Sequence, residues 1–538
     1  MSEQLSKTVR RLISRSEKGE FSASFQLAQM YTEGFSVERD KEKVQEYLAI
    51  CASQLKENSF RLNSIKLSGY KGFELVELDF LEENRTTVLV GNNGSGKSTV
   101  LEAIQKSLTH LNSRLATRSQ NGDLIDEYEI KRGKDIATIT SSFKLQNQSV
   151  HMDLKQSSAM NSKKVKGNYT EINDICQILR KANEVNPQLS LPLFASYTVE
   201  RANDVSTKDI EESDEIKEDY IFDKSKAYSK SLSGKADFKL FFRWFKELIE
   251  SDNDIASRVD ELRIKIEAKN AEINSPLLLE AVKQHPALES LIKSHERELE
   301  SYKEQLNALY SVDEKSLDAV KQAIYKFLPG FSNLRLQRKP LDLTLEKNGV
   351  QLSVLQLSQG EKTMLALVAD IARRLTLLNP GSPKPLDGSG IVLIDEVDLH
   401  LHPSWQQRII QKLESTFGNL QFIVTTHSPQ VCHTVDSSAI WLLKNGQKYA
   451  APRGTRGAVS SWVLKNLFEV EERPPEDKFT QKLSRYTKLV YSDAYDEGEA
   501  LELRKELSQH FGPGYQDLVK LDLYIENRNW EKEYEKNS

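Results

Sequence analysis

Cysteine is scarce in this chain of 538 residues. Cys51, Cys176 and Cys432 are far apart in the sequence and include no Cys-x-x-Cys pair. This pattern excludes a disulfide framework and the usual ligand spacing of a zinc site. Free cysteines persist in a reducing environment, so we expect an intracellular protein.

Long apolar runs and a strong excess of one charge are also missing. No run of 18 apolar residues occurs, and charged side chains are spread through residues 1–20. The sequence therefore predicts no membrane span and no signal peptide, but a soluble cytoplasmic protein. Its formal net charge is -5, so nucleic acid would have to bind at a local basic patch rather than through overall attraction.

What the chain does contain is a glycine-rich segment, GNNGSGKST, between an apolar strand (TTVLV) and a helix with apolar residues at helical spacing. This is the spacing of a phosphate-binding loop, in which main-chain N–H groups face a polyphosphate at a helix N-terminus. Lys97 would contact the β- and γ-phosphates of ATP, and the Ser98 hydroxyl would bind Mg²⁺. The nucleotide-binding residues predicted here are Gly91, Asn92, Asn93, Gly94, Ser95, Gly96, Lys97, Ser98 and Thr99.

A second apolar strand, GIVLI, delivers two adjacent carboxylates to its C-terminal end, Asp395 and Glu396. Nucleotides bind at that edge of an open α/β sheet. We predict that Asp395 holds Mg²⁺ through water, opposite Ser98, and that Glu396 polarises the attacking water as general base. His427 follows another strand, QFIVTT, and is predicted to hydrogen-bond the γ-phosphate and orient that water. The predicted catalytic residues are Lys97, Glu396 and His427.

The segment LSQGEKT opens a further helix and is predicted to bind a second anion. Ser358, Gln359 and Gly360 stand at its start, where a hydroxyl and main-chain N–H groups face outward. One nucleotide already has a phosphate loop. We therefore expect this helix to meet the nucleotide of another subunit, so that two ATP molecules are enclosed between two copies in an isologous dimer.

Taken in order, these segments resemble the motifs of ABC-type ATPases. GNNGSGKST resembles the phosphate loop, LSQGEK the signature, LIDEVDLHLHP the acidic strand with its D-loop, and THSP the His-loop. IDEVDLHLHPSWQ is similar to the stand-alone AAA15/21-like and OLD-like branch, related to SMC and RecF proteins, rather than to transporters. The resemblance implies an α/β ABC-type head, a mixed sheet with an antiparallel subdomain, and ATP and Mg²⁺ as cofactors. It also makes Asp398 the D-loop residue that contacts the partner subunit. The Q-loop glutamine cannot be assigned, and neither of two available residues, Gln146 and Gln148, is chosen.

Changes of periodicity divide the chain into five segments. Residues 1–58 are predicted to be helical and resemble one tetratricopeptide-like repeat, which would pack on the ATPase body or on a partner. Residues 59–204 would form the ATPase lobe with the phosphate loop, and 205–325 a helical insert. Residues 326–450 would form the lobe with the signature, acidic strand and His-loop, and 451–538 a helical docking region.

In the docking region, Leu501, Leu503 and Leu507 form an apolar stripe on a predicted helix. The ATPase fold does not require this stripe, so we expect a partner to cover it. The alternative is that the three leucines pack on the ATPase itself.

The order of helical repeat, ATPase with insert and helical C-terminal region resembles the PtuA family, the ATPases of Septu-type and retron-associated anti-phage systems. This resemblance implies a regulatory ATPase that controls an HNH nuclease of the PtuB type. In the retron branch it also implies a reverse transcriptase with its RNA-linked single-stranded DNA as partners.

Two other functions stay open at this point. One is a DNA-repair ATPase similar to RecF or SMC proteins, which would bind DNA directly. The other is an OLD-type enzyme with its own Toprim nuclease, which the stretch KLVYSDAYDEGEALEL superficially resembles. No Asp-x-Asp follows that stretch on a later strand, and we predict it to be helical.

Overall fold

The computed structural model describes residues 6–55, 59–116, 121–159, 165–203, 223–273, 295, 298–299, 313–380 and 382–537. Their contacts divide the chain into two compact units, Met1–Ala458 and Val459–Ser538. None of the described helices combines the length and the apolarity needed to cross a membrane.

Three helices open the first unit: α1 (Lys7–Glu17), α2 (Phe21–Glu33) and α3 (Lys41–Gln54). Gly34 ends α2 in the left-handed conformation, with φ 75°, as expected of a glycine at a helix C-terminus. Leu27 of α2 is fully buried in a core cluster with Val9 and Leu12 of α1. Tyr31 and Tyr47 stack across α2 and α3, with their ring centroids 5.8 Å apart.

A four-stranded antiparallel sheet follows, in the order β2-β1-β4-β5. Its strands are β1 (Phe60–Tyr70), β2 (Phe73–Asp79), β4 (Ile136–Leu145) and β5 (Gln148–Ser157). Side chains of β4 alternate strictly between buried and half-buried positions, because successive residues of a strand point to opposite faces.

The second sheet of this unit has six strands in the order β13-β12-β3-β11-β10-β6. They are β3 (Thr86–Val90), β6 (Leu193–Tyr197), β10 (Gly390–Ile394), β11 (Leu420–Thr425), β12 (Ile440–Lys444) and β13 (Gln447–Ala450). Among the described strand pairs of this sheet, β12–β13 is antiparallel and the other four are parallel. All residues of the four strands β3, β6, β10 and β11 are buried, as expected where both faces of a parallel sheet are covered. The predicted α/β class, a mixed sheet with a separate antiparallel subdomain, is confirmed.

A three-stranded antiparallel sheet precedes the predicted signature: β7 (Phe331–Arg338), β8 (Leu341–Lys347) and β9 (Val350–Ser353). The remaining described helices of the first unit are α4 (Lys97–Ala116), α5 (Thr170–Val185), α6 (Lys224–Tyr228), α7 (Phe238–Ile273), α8 (Asp313–Phe327), α9 (Gln359–Leu378), α10 (Pro403–Gln406), α11 (Ile409–Thr416) and α12 (Pro429–Cys432). Among them α9, which begins in the LSQGEKT segment, is buried along most of its length.

Helices α6, α7 and α8 lie in the segment predicted to be a helical insert. All three contact α9, and the aromatic residues that open α7, among them Phe241 and Phe242, are fully buried. Both ends of this segment are therefore part of the core of the first unit. Residues 204–222 and most of 274–312 lie outside the described residues, so the limits of an insert stay a prediction.

The second unit consists of α13 (Ser460–Leu467), α14 (Lys478–Tyr491), α15 (Gly498–Phe511) and α16 (Gln516–Asn537) in its described part. The stretch KLVYSDAYDEGEALEL lies in α14, α15 and the turn between them, so the prediction that it is helical is confirmed. The unit has a core of its own, which contains Leu483, Tyr486, Val490, Leu507, Leu518 and Leu521.

This core corrects the prediction that the stripe on α15 needs a partner. Leu507 is fully buried within the unit, and Leu503 packs against the same core. Only Leu501 is exposed, at 59 %. The stripe is covered because the neighbouring helices of the same unit supply an apolar face, which periodicity along one helix does not reveal.

Candidate nucleotide site

The predicted motifs meet because the strands that carry them are parallel neighbours. Strand β11 lies between β3 and β10, and β6 lies on the other side of β10. The segments that follow these four strands therefore leave the sheet at the same edge. That edge, at the carboxyl ends of the strands, is where open α/β sheets bind ligands.

The phosphate loop joins β3 to α4, which begins at Lys97. Gly96 has φ 99°, and a Cβ there would lie 2.4 Å from the Phe73 ring. Only glycine permits both this backbone conformation and the close approach of the antiparallel sheet to the loop. The sequence pattern predicts glycine here because a phosphate must approach the main chain. The structure adds a second reason, the contact with Phe73.

The Lys97 side chain is 7 % exposed. Its Nζ donates hydrogen bonds to the main-chain carbonyls of Gly91 at 2.8 Å and Asn92 at 3.2 Å. Burial lowers the pKa of Lys97, and the nearby carboxylates of Asp395 and Glu396 oppose that shift. A cation held inside the loop at a helix N-terminus suits a polyphosphate.

Ser98 and Asp395 lie together, although almost 300 residues separate them in the sequence. The Ser98 hydroxyl donates to Oδ1 of Asp395 at 3.3 Å. Among the described residues, no cluster of His, Cys, Asp or Glu could hold a metal by itself. Mg²⁺ commonly takes one or two protein oxygens and completes its shell with phosphate and water, so this pair fits Mg²⁺ bound together with a nucleotide.

Thr425, the last residue of β11, is a residue of this site that sequence reasoning missed. Its hydroxyl donates to Oδ1 of Asp395 at 2.5 Å and accepts from the main-chain N–H of Glu396 at 2.7 Å. One side chain thus orients both members of the acidic pair. The doublet Thr425-Thr426 before His427 was the available signal, but its meaning depends on β11 being the neighbour of β10.

Thr426 orients a residue of the predicted D-loop, since its hydroxyl donates a hydrogen bond to Oδ1 of Asp398. His427 comes next and is exposed at the same edge of the sheet. Asp398 is thereby held to the segment after β11, while the roles predicted for Asp398 and His427 at the nucleotide stay predictions.

Ser358 is the N-cap of α9. Its hydroxyl donates to the Glu361 carboxylate at 2.8 Å, and the Glu361 N–H points back to the hydroxyl in a capping box. Burial alone would raise the pKa of Glu361, but hydrogen bonds from Lys347 and Ser358 outweigh it and lower that pKa. The single hydroxyl proton of Ser358 would have to turn from Glu361 to the phosphate for the predicted contact.

Gly360 lies in the first turn of α9, against the predicted D-loop segment. A Cβ at this position would be 2.6 Å from the main-chain oxygen of His400. The glycine of the signature is therefore required by a contact within the chain, in addition to any role of Gln359 and Gly360 toward an anion.

We expect Gly360→Ala to lower both the stability of the protein and its rate of ATP hydrolysis. The added Cβ would push the main chain at His400 away, and Asp398, two residues earlier, would move with it. Overpacking of this kind costs about 1–3 kcal/mol. Thermal unfolding and steady-state hydrolysis measure the two effects. Gly498→Ala is the matched control, since a Cβ there meets nothing within 4 Å. Wild-type behaviour of Gly360→Ala would show that the contact with His400 is dispensable.

Neither candidate for the Q-loop glutamine lies at the phosphate loop. The Gln146 amide donates to the Gln54 carbonyl at 2.8 Å, and the Gln148 amide to the Ser22 hydroxyl at 2.6 Å. Both side chains connect the β4–β5 turn to the N-terminal helices. The segment that follows β6, the neighbour of β10, contains Arg201.

Arg201 is the second residue that sequence reasoning missed. It is 1 % exposed, and its guanidinium donates to the main-chain carbonyls of Asp395 and Glu396. The sequence gives no sign of this contact, because Arg201 and the acidic pair are brought together only by the pairing of β6 with β10.

Comparison with known proteins agrees with this geometry. The family model described as "AAA ATPase domain" matches residues 61–432. The chain is 54 % identical to the "Retron Ec83 probable ATPase" of Escherichia coli over 540 residues, which covers 100 % of both chains. It is 32 % identical to the "Retron Vc95 probable ATPase" of Vibrio cholerae, over 94 % of this chain and 98 % of that one. A "Septu protein PtuA" of Bacillus mycoides is 39 % identical over 28 % of this chain and 21 % of its own length.

The site and these matches define an ATPase of the ABC type. Because the family match spans more than half of the chain and the first relative is similar over its whole length, the chain belongs to this family of AAA ATPases. The predicted resemblance to the ATPases of retron and Septu defence systems is confirmed.

Proposed function

We propose that the chain is the ATP-hydrolysing regulatory subunit of an anti-phage defence complex and that it controls an HNH nuclease of the PtuB type. The observation that carries the ATP-dependent part is the meeting of the phosphate loop with the acidic pair, through the Ser98–Asp395 contact of 3.3 Å. The defence role is supported by the full-length similarity to a retron ATPase. That similarity also favours this function over a RecF- or SMC-like DNA-repair ATPase.

The chain's own residues suggest how ATP would be hydrolysed. Lys97 and the loop N–H groups hold the β- and γ-phosphates, while Ser98 and Asp395 hold Mg²⁺, which when bound neutralises charge that develops on the phosphates. Glu396 accepts a proton from the attacking water. His427 donates a hydrogen bond toward the γ-phosphate.

Hydrolysis would be coupled to assembly through a homodimer with two composite sites. Ser358, Gln359 and Gly360 of one subunit would face the nucleotide held by the phosphate loop of the other, and Asp398 would contact the partner subunit. The support is that α9 begins in the signature segment and is a second helix N-terminus, distinct from that of α4 at the phosphate loop. Binding of ATP would close the dimer and its hydrolysis would open it.

The second unit is the proposed docking site for the nuclease. Helix α16 carries exposed apolar side chains at heptad-like spacing, Val519, Leu523, Trp530 and Tyr534, of which Trp530 is 70 % exposed. Large exposed aromatic residues are common anchors of protein interfaces. The retron relatives further suggest a reverse transcriptase with its RNA-linked single-stranded DNA as an additional partner.

Removal of residues 459–538 should leave ATP hydrolysis within about threefold of wild type while abolishing association with the nuclease and defence against phage. The deletion begins at Val459 because the second compact unit begins there. Trp530→Glu in the full chain should weaken association by about 30-fold or more, because interface anchors contribute at least about 2 kcal/mol and 1.4 kcal/mol is tenfold.

Co-purification of the two proteins and plaque counts measure these effects. Glu502→Gln, at an exposed position of α15 and not on α16, is the control and should retain the nuclease. If the truncated protein still hydrolyses ATP and holds the nuclease at wild-type stoichiometry, the docking site lies in the first unit. Retained hydrolysis without any nuclease bound to the wild type would contradict the proposed partner itself.

A further inference from the structure

Glu396 has an unusual main chain for a residue with a side chain. Its φ is 48°, in the left-handed region, where a Cβ approaches the neighbouring carbonyl oxygen. Glycine adopts this conformation readily, but a glutamate does so only where its surroundings hold it. The proposed general base therefore depends on contacts that fix the peptide groups before and after it.

Arg201 supplies contacts on both sides of this residue. Its Nη1 donates to the carbonyl of Asp395 and its Nη2 to the carbonyl of Glu396. The same Nη1 also donates to the carbonyl of Thr198, at 2.9 Å. The planar guanidinium thus spans two successive carbonyls, a geometry that the single ammonium group of lysine cannot reproduce.

The position of Arg201 is itself determined by the signature helix. Strand β6 pairs with β10 so that the Asp395 N–H donates to the Tyr197 carbonyl at 2.8 Å. The Tyr197 hydroxyl donates to the buried Asp370 of α9 at 2.9 Å. Asp370 also accepts from Arg373 and Arg374, and these two cations outweigh burial and lower its pKa. The turn that carries Arg201 is therefore anchored to α9.

We propose that Arg201 is a positioning residue for ATP hydrolysis: it holds Glu396 in the left-handed conformation that aims the carboxylate at the attacking water. This inference rests on the proposed role of Glu396 as general base. Arg201 would act through the main chain, since its guanidinium donates to the carbonyls of Thr198, Asp395 and Glu396. Through Tyr197 and Asp370 it connects the orientation of the base to α9, the helix that is proposed to meet the second nucleotide.

Kinetics separate this role from nucleotide binding. Arg201→Ala and Arg201→Lys should each lower kcat by about 10- to 100-fold, since a small misplacement of a catalytic group has effects of that size. The affinity for a non-hydrolysable ATP analogue should stay within about threefold of wild type. Arg39→Ala, an exposed arginine in the α2–α3 turn, is the control and should change neither quantity. Wild-type kcat in Arg201→Lys would overturn the proposal.

A stability measurement tests the link to the backbone of Glu396 independently. Arg201→Ala is combined with Glu396→Ala and, separately, with Glu396→Gly, two backgrounds that both lack the carboxylate and differ at one Cβ. The fall in unfolding temperature caused by Arg201→Ala should be clearly smaller in the glycine background, which needs no support for positive φ. Equal falls in both backgrounds would overturn the proposal.

The two inferences can fail separately. If Glu396→Gln hydrolyses ATP at the wild-type rate, Glu396 is not the general base, and the positioning role proposed for Arg201 falls with it. An inactive Glu396→Gln together with a fully active Arg201→Ala would leave the base in place and reject Arg201 alone.

Discussion

Lys97→Ala should lose ATP at nucleotide concentrations that saturate the wild type, whereas Glu396→Gln should bind ATP and fail to hydrolyse it. In the first variant the phosphates lose a buried cation, and a hydrogen bond to a charged group contributes about 1.5–3 kcal/mol. In the second only the activation of water is removed, and general bases contribute about 10²- to 10⁴-fold to rate. Glu396→Gln should therefore accumulate as a closed dimer with ATP bound.

Nucleotide retention after gel filtration measures both effects in one experiment, with the dimer resolved from the monomer. Glu77→Gln, an isosteric change at an exposed position on β2, should hydrolyse ATP and show no trapped dimer. If Lys97→Ala and Glu396→Gln are equally empty of nucleotide, the roles assigned to these two residues are wrong.

A mixture of Ser358→Arg and Lys97→Ala should regain hydrolysis that neither variant has alone. Ser358→Arg places a bulky side chain where the partner's γ-phosphate is expected to dock, but its own phosphate loop is intact. In a mixed dimer, that loop faces the unchanged signature of the Lys97→Ala chain. Random exchange in an equimolar mixture leaves about one quarter of the composite sites intact, so activity should approach that share if one site suffices.

The capping role of Ser358 requires a further control, because arginine also removes the N-cap of α9. Ser358→Asp retains a good N-cap and adds a negative charge beside the expected phosphate. It should bind ATP as the wild type does, yet be inactive and restored by Lys97→Ala in the same way. An active Ser358→Asp would mean that only the cap matters. If the mixture is inactive and no ATP-dependent dimer forms, the proposal of composite sites is wrong.

The motifs were predictable because each is a short run of sequence with local geometry. The segment GNNGSGKST between a buried strand and a helix specifies a loop whose N–H groups converge, and Gly96 and Lys97 lie where that pattern places them. The acidic strand and the α/β class follow from alternating strand and helix periodicity. Sequence patterns are enough to predict a structural feature when all the residues that determine it lie within a few positions of one another.

The stripe on α15 shows where such rules stop. Periodicity correctly indicates an apolar face at Leu503 and Leu507, but it does not state what covers that face. The second unit covers it with its own helices. The sequence left the Q-loop glutamine unassigned for a related reason. Gln146 and Gln148 occur in plausible sequence order, yet both lie beside the N-terminal helices.

By itself, then, the sequence determined the chemistry of the nucleotide site: which side chains are available, and on which strand or helix each one stands. Only the tertiary structure decided that Thr425 orients Asp395 and that Arg201 donates hydrogen bonds to the main-chain carbonyls of Asp395 and Glu396. These contacts join residues about 30 and about 200 positions apart, and they exist because β11 and β6 flank β10 in the sheet. Strand order is set by the packing of the whole core, so no local pattern in the chain could have revealed them.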